Sequence, residues 1–131
     1  MPDVAYSGVP NERSEKRVHF IGPSRDEVRA FPRPVRRTIG VALRTAQFGR
    51  KHETAKPLKG FKGAGVLEIV EDHDRNTYRA VYTVRFAQHV YVLHAFQKKS
   101  KKGIATPKHI LKLIRDRLAA ATADHRARES Q

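Results

Sequence analysis

The sequence predicts an α+β single domain: a small antiparallel sheet packed by two N-terminal helices and a C-terminal helix. Three observations predict it. Between residues 78 and 86 the side chains alternate with period two, the repeat of a strand in a sheet, and 89–97 is apolar on both faces, as a central strand is. Residues 34–48 and 107–118 instead space their apolar side chains three and four apart, as helices do. No internal repeat or linker-like stretch divides the 131 residues, a length that suits one core without disulfide staples.

Taken in order, residues 1–17 mix Pro, Gly, Ser and charge without periodicity and are expected to form a mobile arm ahead of a domain over 18–123. Residues 18–21 are β-prone and stop at Gly22-Pro23. Ser24 followed by Glu27 reads as a capping box opening a short helix through Phe31, with Val28 and Phe31 turned inward. Pro32 and Pro34 break it, and Pro34 suits the first turn of a second helix. Val35, Ile39, Ala42, Leu43 and Ala46 form that helix's apolar stripe until Gly49. Residues 50–65 read as a loop in which Lys56, Lys59 and Lys62 lie among glycines. A phosphate cradle and a plain glycine-rich turn are both open there, since the spacing is not that of a P-loop.

A strand over 66–71 and a polar turn over 72–76 lead into the hairpin that organises the chain. Tyr78, Ala80, Tyr82, Val84 and Phe86 alternate with more polar neighbours, and Ala87-Gln88 reads as the turn. The returning strand, 89–97, shows Val90, Val92, His94 and Phe96 on one face and Tyr91, Leu93 and Ala95 on the other. A tight turn pairs Arg79 with Phe96 and Tyr78 with Gln97. Arg79 then comes beside Lys98 and Lys99, with Lys98 on its own face. A four-residue loop before Arg79 sets Glu68 opposite it and a five-residue loop sets Ile69 there. Thr106 as cap and Pro107 in the first turn start the last helix, packed through Ile110, Leu111, Ile114 and Leu118. Fraying is expected after about Ala123, ahead of a polar tail over 124–131.

The charge is lopsided: 27 Lys and Arg stand against 13 Asp and Glu, a formal +14. From Arg75 to Arg115 no acidic residue occurs. Long-range attraction to nucleic acid or to an acidic protein follows, with a merely solvated basic surface as the alternative. The apolar runs are short and interrupted, so no membrane span is expected. The absence of cysteine removes thiolate metal sites and fits a reducing, cytoplasmic setting. The histidines lack metal-ligand spacing: His52-Glu53 has no second histidine four residues on. Neither metal nor cofactor is expected.

Four segments carry a resemblance: KPLKG at 56–60, GVLEI at 65–69, TYRAVY at 77–82 and VLHAFQKKSKKGIATP at 92–107. Over about 20–120 the chain resembles the phage-derived Gp49-like, HigB-type toxins of the RelE/ParE superfamily. The resemblance implies a RelE-like domain and the toxin of a type II toxin-antitoxin pair that cuts mRNA on the ribosome without a metal. It also implies a cognate antitoxin, usually a helix-turn-helix DNA-binding protein.

Metal-free cleavage uses the ribose 2′-OH against its own phosphate, so a base, a charge stabiliser and an acid are needed. Arg79 offers a planar fork to phosphate, against a structural pairing with Glu68. Lys98 and Lys99 are candidates for phosphate clamp or proton transfer; strand parity favours Lys98 and the family's basic position favours Lys99. Two bases are open, Glu68 and His94, the latter against a satisfied core histidine. Lys56, Lys59, Lys62, Arg85, Lys101, Lys102, Lys108 and Lys112 are the expected contacts to the RNA backbone. A non-catalytic nucleic-acid-binding module and a phage assembly protein are the competing functions.

Overall fold

The computed structural model describes residues 15–98 and 106–130. Eight elements follow in order: β1 (Arg17–Phe20), α1 (Ser24–Arg29), α2 (Arg33–Gln47), β2 (Ala55–Pro57), β3 (Val66–His73), β4 (Asn76–Thr83), β5 (His89–Lys98) and α3 (Lys108–Glu129). The domain is α+β, with one five-stranded sheet in the order β1-β5-β4-β3-β2. The sheet is mixed, not antiparallel as the sequence suggested: β1 runs parallel to β5. A parallel pair needs a long connection, and everything from α1 to β4 lies between these two strands.

Each face of the sheet carries its own core. On one face the α2 stripe of Val35, Ile39, Ala42, Leu43 and Ala46 packs on Ile69, Tyr78, Ala80, Tyr82, Val90 and Val92. On the other, Ile114 and Ala121 of α3 join Val66, Val81, Tyr91 and Leu93, with Leu58 and Phe61 from the β2–β3 connection. Burying an aliphatic side chain such as Ile39 contributes roughly 1.5–3 kcal/mol, so these stripes fix which helix covers which face.

Several local expectations are corrected. Ser24 is not a cap: Pro23 precedes the helix, and the fully buried Ser24 Oγ donates to Val92 O at 3.1 Å. Glu27 does not close a capping box but reaches β5, where Ala95 N–H donates to its Oε1 at 3.1 Å. Pro107, not Thr106, occupies the cap of α3, with no side-chain capping bond. That helix continues to Glu129 instead of fraying near 123, because His125 stacks on Phe86 and Tyr91 Oη donates to Asp124 at 2.7 Å. Strand β2 lies within the expected loop, pairing Lys56 with Glu68. Of the expected N-terminal arm, residues 15–17 are described: Lys16 N–H donates to Gln47 O and Arg17 opens β1.

The two hairpins also depart from the simplest reading. Asp74 and Arg75 both hold positive φ, 49° and 68°, the signature of a two-residue mirror turn. Strand β3 therefore extends to His73, and Val70 stands opposite Arg79 in place of Glu68 or Ile69. In the second hairpin β4 stops at Thr83 and the turn is the wider connection 84–88, not Ala87-Gln88 alone. A bulge compensates: Tyr82 pairs with Val92 while Val81 pairs with His94, leaving Leu93 as the extra residue. Beyond it the register is the expected one, with Arg79 opposite Phe96, Tyr78 opposite Gln97 and Thr77 opposite Lys98. The bulge also splits the face assigned to Val90, Val92, His94 and Phe96. Val90 and Val92 face α2, whereas Phe96 packs toward α3.

Candidate nucleic-acid interface

Alternation along β4 puts Thr77, Arg79, Val81 and Thr83 on the α3 side of the sheet. Register brings Glu68 to that side of β3, diagonal to Arg79, and Lys56 to that side of β2. Arg79 Nη1 donates to Glu68 Oε2 at 3.0 Å, and Lys56 Nζ stands 4.0 Å from Glu68 Oε1. Arg79 and Glu68 are buried, at 8% and 6% exposure, and Lys56 is exposed. Such a pair holds its geometry because separating it leaves a charge in a poorly solvated place.

Lys98 reaches the same place from β5, half-buried opposite Thr77. Burial first, then the Arg79 charge, lowers its ammonium pKa, and Glu68 partly offsets them. A lysine held that way gives up a proton more readily than a solvated one.

Beside this group lies a cleft of about 830 Å³. Lys56, Lys59 and Lys62 line its rim, Glu68 and Arg79 its floor, and Pro57, Leu58, Leu111 and Thr106 its walls. Outside the lining, the Arg115 guanidinium sits 5.2 Å from the centroid of the Phe61 ring. Apolar walls, a buried arginine and a rim of cations suit a single strand of RNA, base against wall and phosphate against charge.

The other candidates sit elsewhere. Arg85 is exposed in connection 84–88, 5.9 Å from the centroid of Phe86 and away from the cleft. Lys108 and Lys112 are exposed on α3, and Lys112 Nζ donates to Asp116 at 3.4 Å. Lys99, Lys101 and Lys102 lie outside the described residues. His94 shares the sheet face of Arg79 but does not line the cleft. Its Nδ1 is 2.9 Å from Arg117 Nη1 and 3.0 Å from Glu27 Oε1, while the ring stacks on Phe96. Burial, ahead of the pull of Glu27, keeps its pKa below the ordinary histidine value.

Sequence reasoning passed over Glu27 and Arg117. Arg117 Nη1 also donates to Leu93 O at 2.9 Å and to Glu27 Oε1 at 3.0 Å. The signal was present but pointed elsewhere: Glu27 three residues after Ser24 imitates a capping box. Among the described residues no three His, Cys, Asp or Glu side chains are grouped to hold a metal ion, and no helix is long and apolar enough to cross a membrane.

Residues 26–119 match the family described as phage-derived protein, Gp49-like. The matched span holds Glu27, the cleft, the bulge and Arg117 together. Comparison with curated proteins gives no significant match.

Proposed function

Because this chain belongs to the phage-derived Gp49-like family, we propose that it is the toxin of a type II toxin-antitoxin pair, acting as a metal-free endoribonuclease on mRNA at the ribosome. The family is associated with toxins of such pairs. The observation that carries the reading is the convergence of Arg79, Glu68 and Lys98 on one sheet face beside a lysine-rimmed cleft.

The chemistry follows from the group. RNA enters with a phosphate against Arg79 and the lysine rim, which lowers the cost of bringing the polyanion in. The phosphate displaces Arg79 from part of its contact with Glu68. The freed carboxylate takes the proton of the ribose 2′-OH as that oxygen attacks the adjacent phosphorus. Arg79 and Lys98 face the dianionic transition state, where charge has built up and preorganised donors act most strongly. Lys98, its pKa lowered, protonates the departing 5′-oxygen. The products are a 2′,3′-cyclic phosphate and a 5′-hydroxyl, with no bond unaccounted for. Lys99, by resemblance, shares the clamp.

The RelE-like architecture and a cytoplasmic setting belong to the same reading, as does a cognate antitoxin with a helix-turn-helix DNA-binding fold. A partner with acidic or amphipathic segments would be drawn by the +14 charge. The buried Glu68–Arg79 pair favours one other reading, a binding module in which the arginine is structural and nothing is cut.

Mapping of mRNA ends after brief induction, in cells whose transcription has been stopped, separates the two. New ends inside translated frames with the wild-type chain, absent with a folded Arg79→Ala variant, are the expected outcome. Unchanged ends and growth, with soluble folded wild-type protein, would move the conclusion to the binding module.

A further inference from the structure

The bulge at Leu93 decides which side of the sheet the end of β5 presents. Upstream of it Tyr91 and Leu93 pack toward α3, and Val90 and Val92 toward α2. Carried on without a bulge from Tyr82↔Val92, strict alternation would place His94, Phe96 and Lys98 toward α2, and Ala95 opposite Arg79. The extra residue reverses this. Phe96 stands opposite Arg79, and Lys98 emerges on the Arg79 side.

Backbone groups flanking the bulge are held by side chains of two different helices. Strand β1 covers β5 only as far as Phe20↔Val92. Past that point Ser24 Oγ donates to Val92 O, Arg117 Nη1 to Leu93 O, and Ala95 N–H to Glu27 Oε1. Glu27 and Arg117 are in turn bonded to each other at 3.0 Å, with side-chain exposures of 22% and 14%. The carbonyl of the bulged Leu93 and the amide of Ala95 would otherwise lie at an incompletely covered sheet edge. A fixed guanidinium–carboxylate pair supplies the donor to one and the acceptor to the other.

We propose that Glu27 and Arg117 are positioning residues for the cleft: together they hold the Leu93 bulge, and the bulge sets Lys98 beside Arg79. The catalytic consequence rests on the endoribonuclease reading, whereas the positional claim does not. Neither residue lines the cleft. They act through 93–95 of β5, three to five positions before Lys98 on the same strand.

The test is the full chain carrying Glu27→Gln and Arg117→Met, read by NMR without RNA. Cross-strand backbone contacts report the register, Ala80 with Ala95 and Tyr82 with Val92, and the Lys98 ammonium is titrated after assignment through Lys98→Arg. In the wild type both contacts are expected, with Lys98 titrating below an ordinary lysine. In the folded double variant the Ala80–Ala95 contact should weaken or move to His94, and the Lys98 titration should rise to the ordinary value. Binding of an uncleavable single-stranded RNA should drop by as much as it does on Lys98→Ala, about tenfold, and adding Lys98→Ala to the double variant should change it less than twofold. A folded variant that keeps the Ala80–Ala95 contact and the Lys98 titration overturns the proposal, however much stability it loses. If the double variant does not fold, Arg117→Lys, which keeps the charge but loses the fork, is read by the same criteria. A register shift in a protein whose wild type cuts no RNA would uphold the positioning role and refute the nuclease reading alone.

Discussion

Glu68 faces Arg79 at 3.0 Å and Lys56 at 4.0 Å, and of this pair Lys56 is the exposed one. Removing Arg79 therefore takes the nearest cation from a buried carboxylate. Arg79→Ala should lose about 3 kcal/mol of unfolding free energy in urea, and adding Glu68→Gln should restore part of it, because the neutral amide no longer needs a cation. The loss of cleavage expected of Arg79→Ala must be read against this cost, with Arg79→Lys as the milder companion. Glu68→Gln alone separates two roles of the carboxylate. As a competitor of phosphate for Arg79 its removal raises affinity for single-stranded RNA several-fold; as the base its removal abolishes cleavage. Both effects together are expected, measured by filter binding at fixed salt and by product analysis.

Among elements, the helices were legible because their stripes are unambiguous: every inward residue named for α2 is buried. Four of the five strands were legible in kind and less so in length, while β2 fell in a stretch that reads as loop. Arg79 opposite Phe96 came out as expected, but through a wider turn and a bulge whose offsets cancel. Nothing in the run VYVLHAF marks Leu93 as an extra residue, because all but His94 are apolar and both faces are covered. Mirror turns usually carry glycine, so Asp74-Arg75 gave no sign of one. Glu27 was misread because its local pattern is that of a cap, while its partners lie 67 to 90 positions away. Gly65 shows the opposite case, a position whose need is purely geometric. Its φ is +65°, and a Cβ there would lie 3.1 Å from Arg85 N and 3.2 Å from Arg85 Cα. Gly65→Ala should cost roughly 1–3 kcal/mol in a urea melt, since backbone rather than a flexible side chain must move.

The molecule as a whole is a strongly positive body in which burial lowers the pKa of three of the seven histidines, His19, His89 and His94. At the cleft, each lysine that neutralises a phosphate of single-stranded RNA adds about 0.7 to the salt slope, so Lys59→Ala and Lys62→Ala should each lower that slope by about as much. The histidines act on folding itself. His94 is held below 6.5 by burial and then by Arg117 against the pull of Glu27. His19 and His89, joined at 2.8 Å, are lowered by burial, by neighbouring histidines and by Arg128. The native state then binds fewer protons than the unfolded chain as pH drops past 6.5, so stability is complete above that value and is lost below it. The lowered carboxyls of Glu27 and Asp124 act in a separate window: what they contribute is present above 4.5 and 3.8, and is lost further into acid. Between pH 7.5 and 5.5 the loss therefore belongs to histidine, with a slope of at most about 1.4 kcal/mol per pH unit for each one. Urea midpoints should fall across that range in the wild type and fall less in His94→Gln, whose amide oxygen can accept from Arg117 in place of Nδ1. A midpoint that stays level from pH 7.5 to 5.5 would mean that the fold holds none of His19, His89 and His94 below the ordinary histidine value.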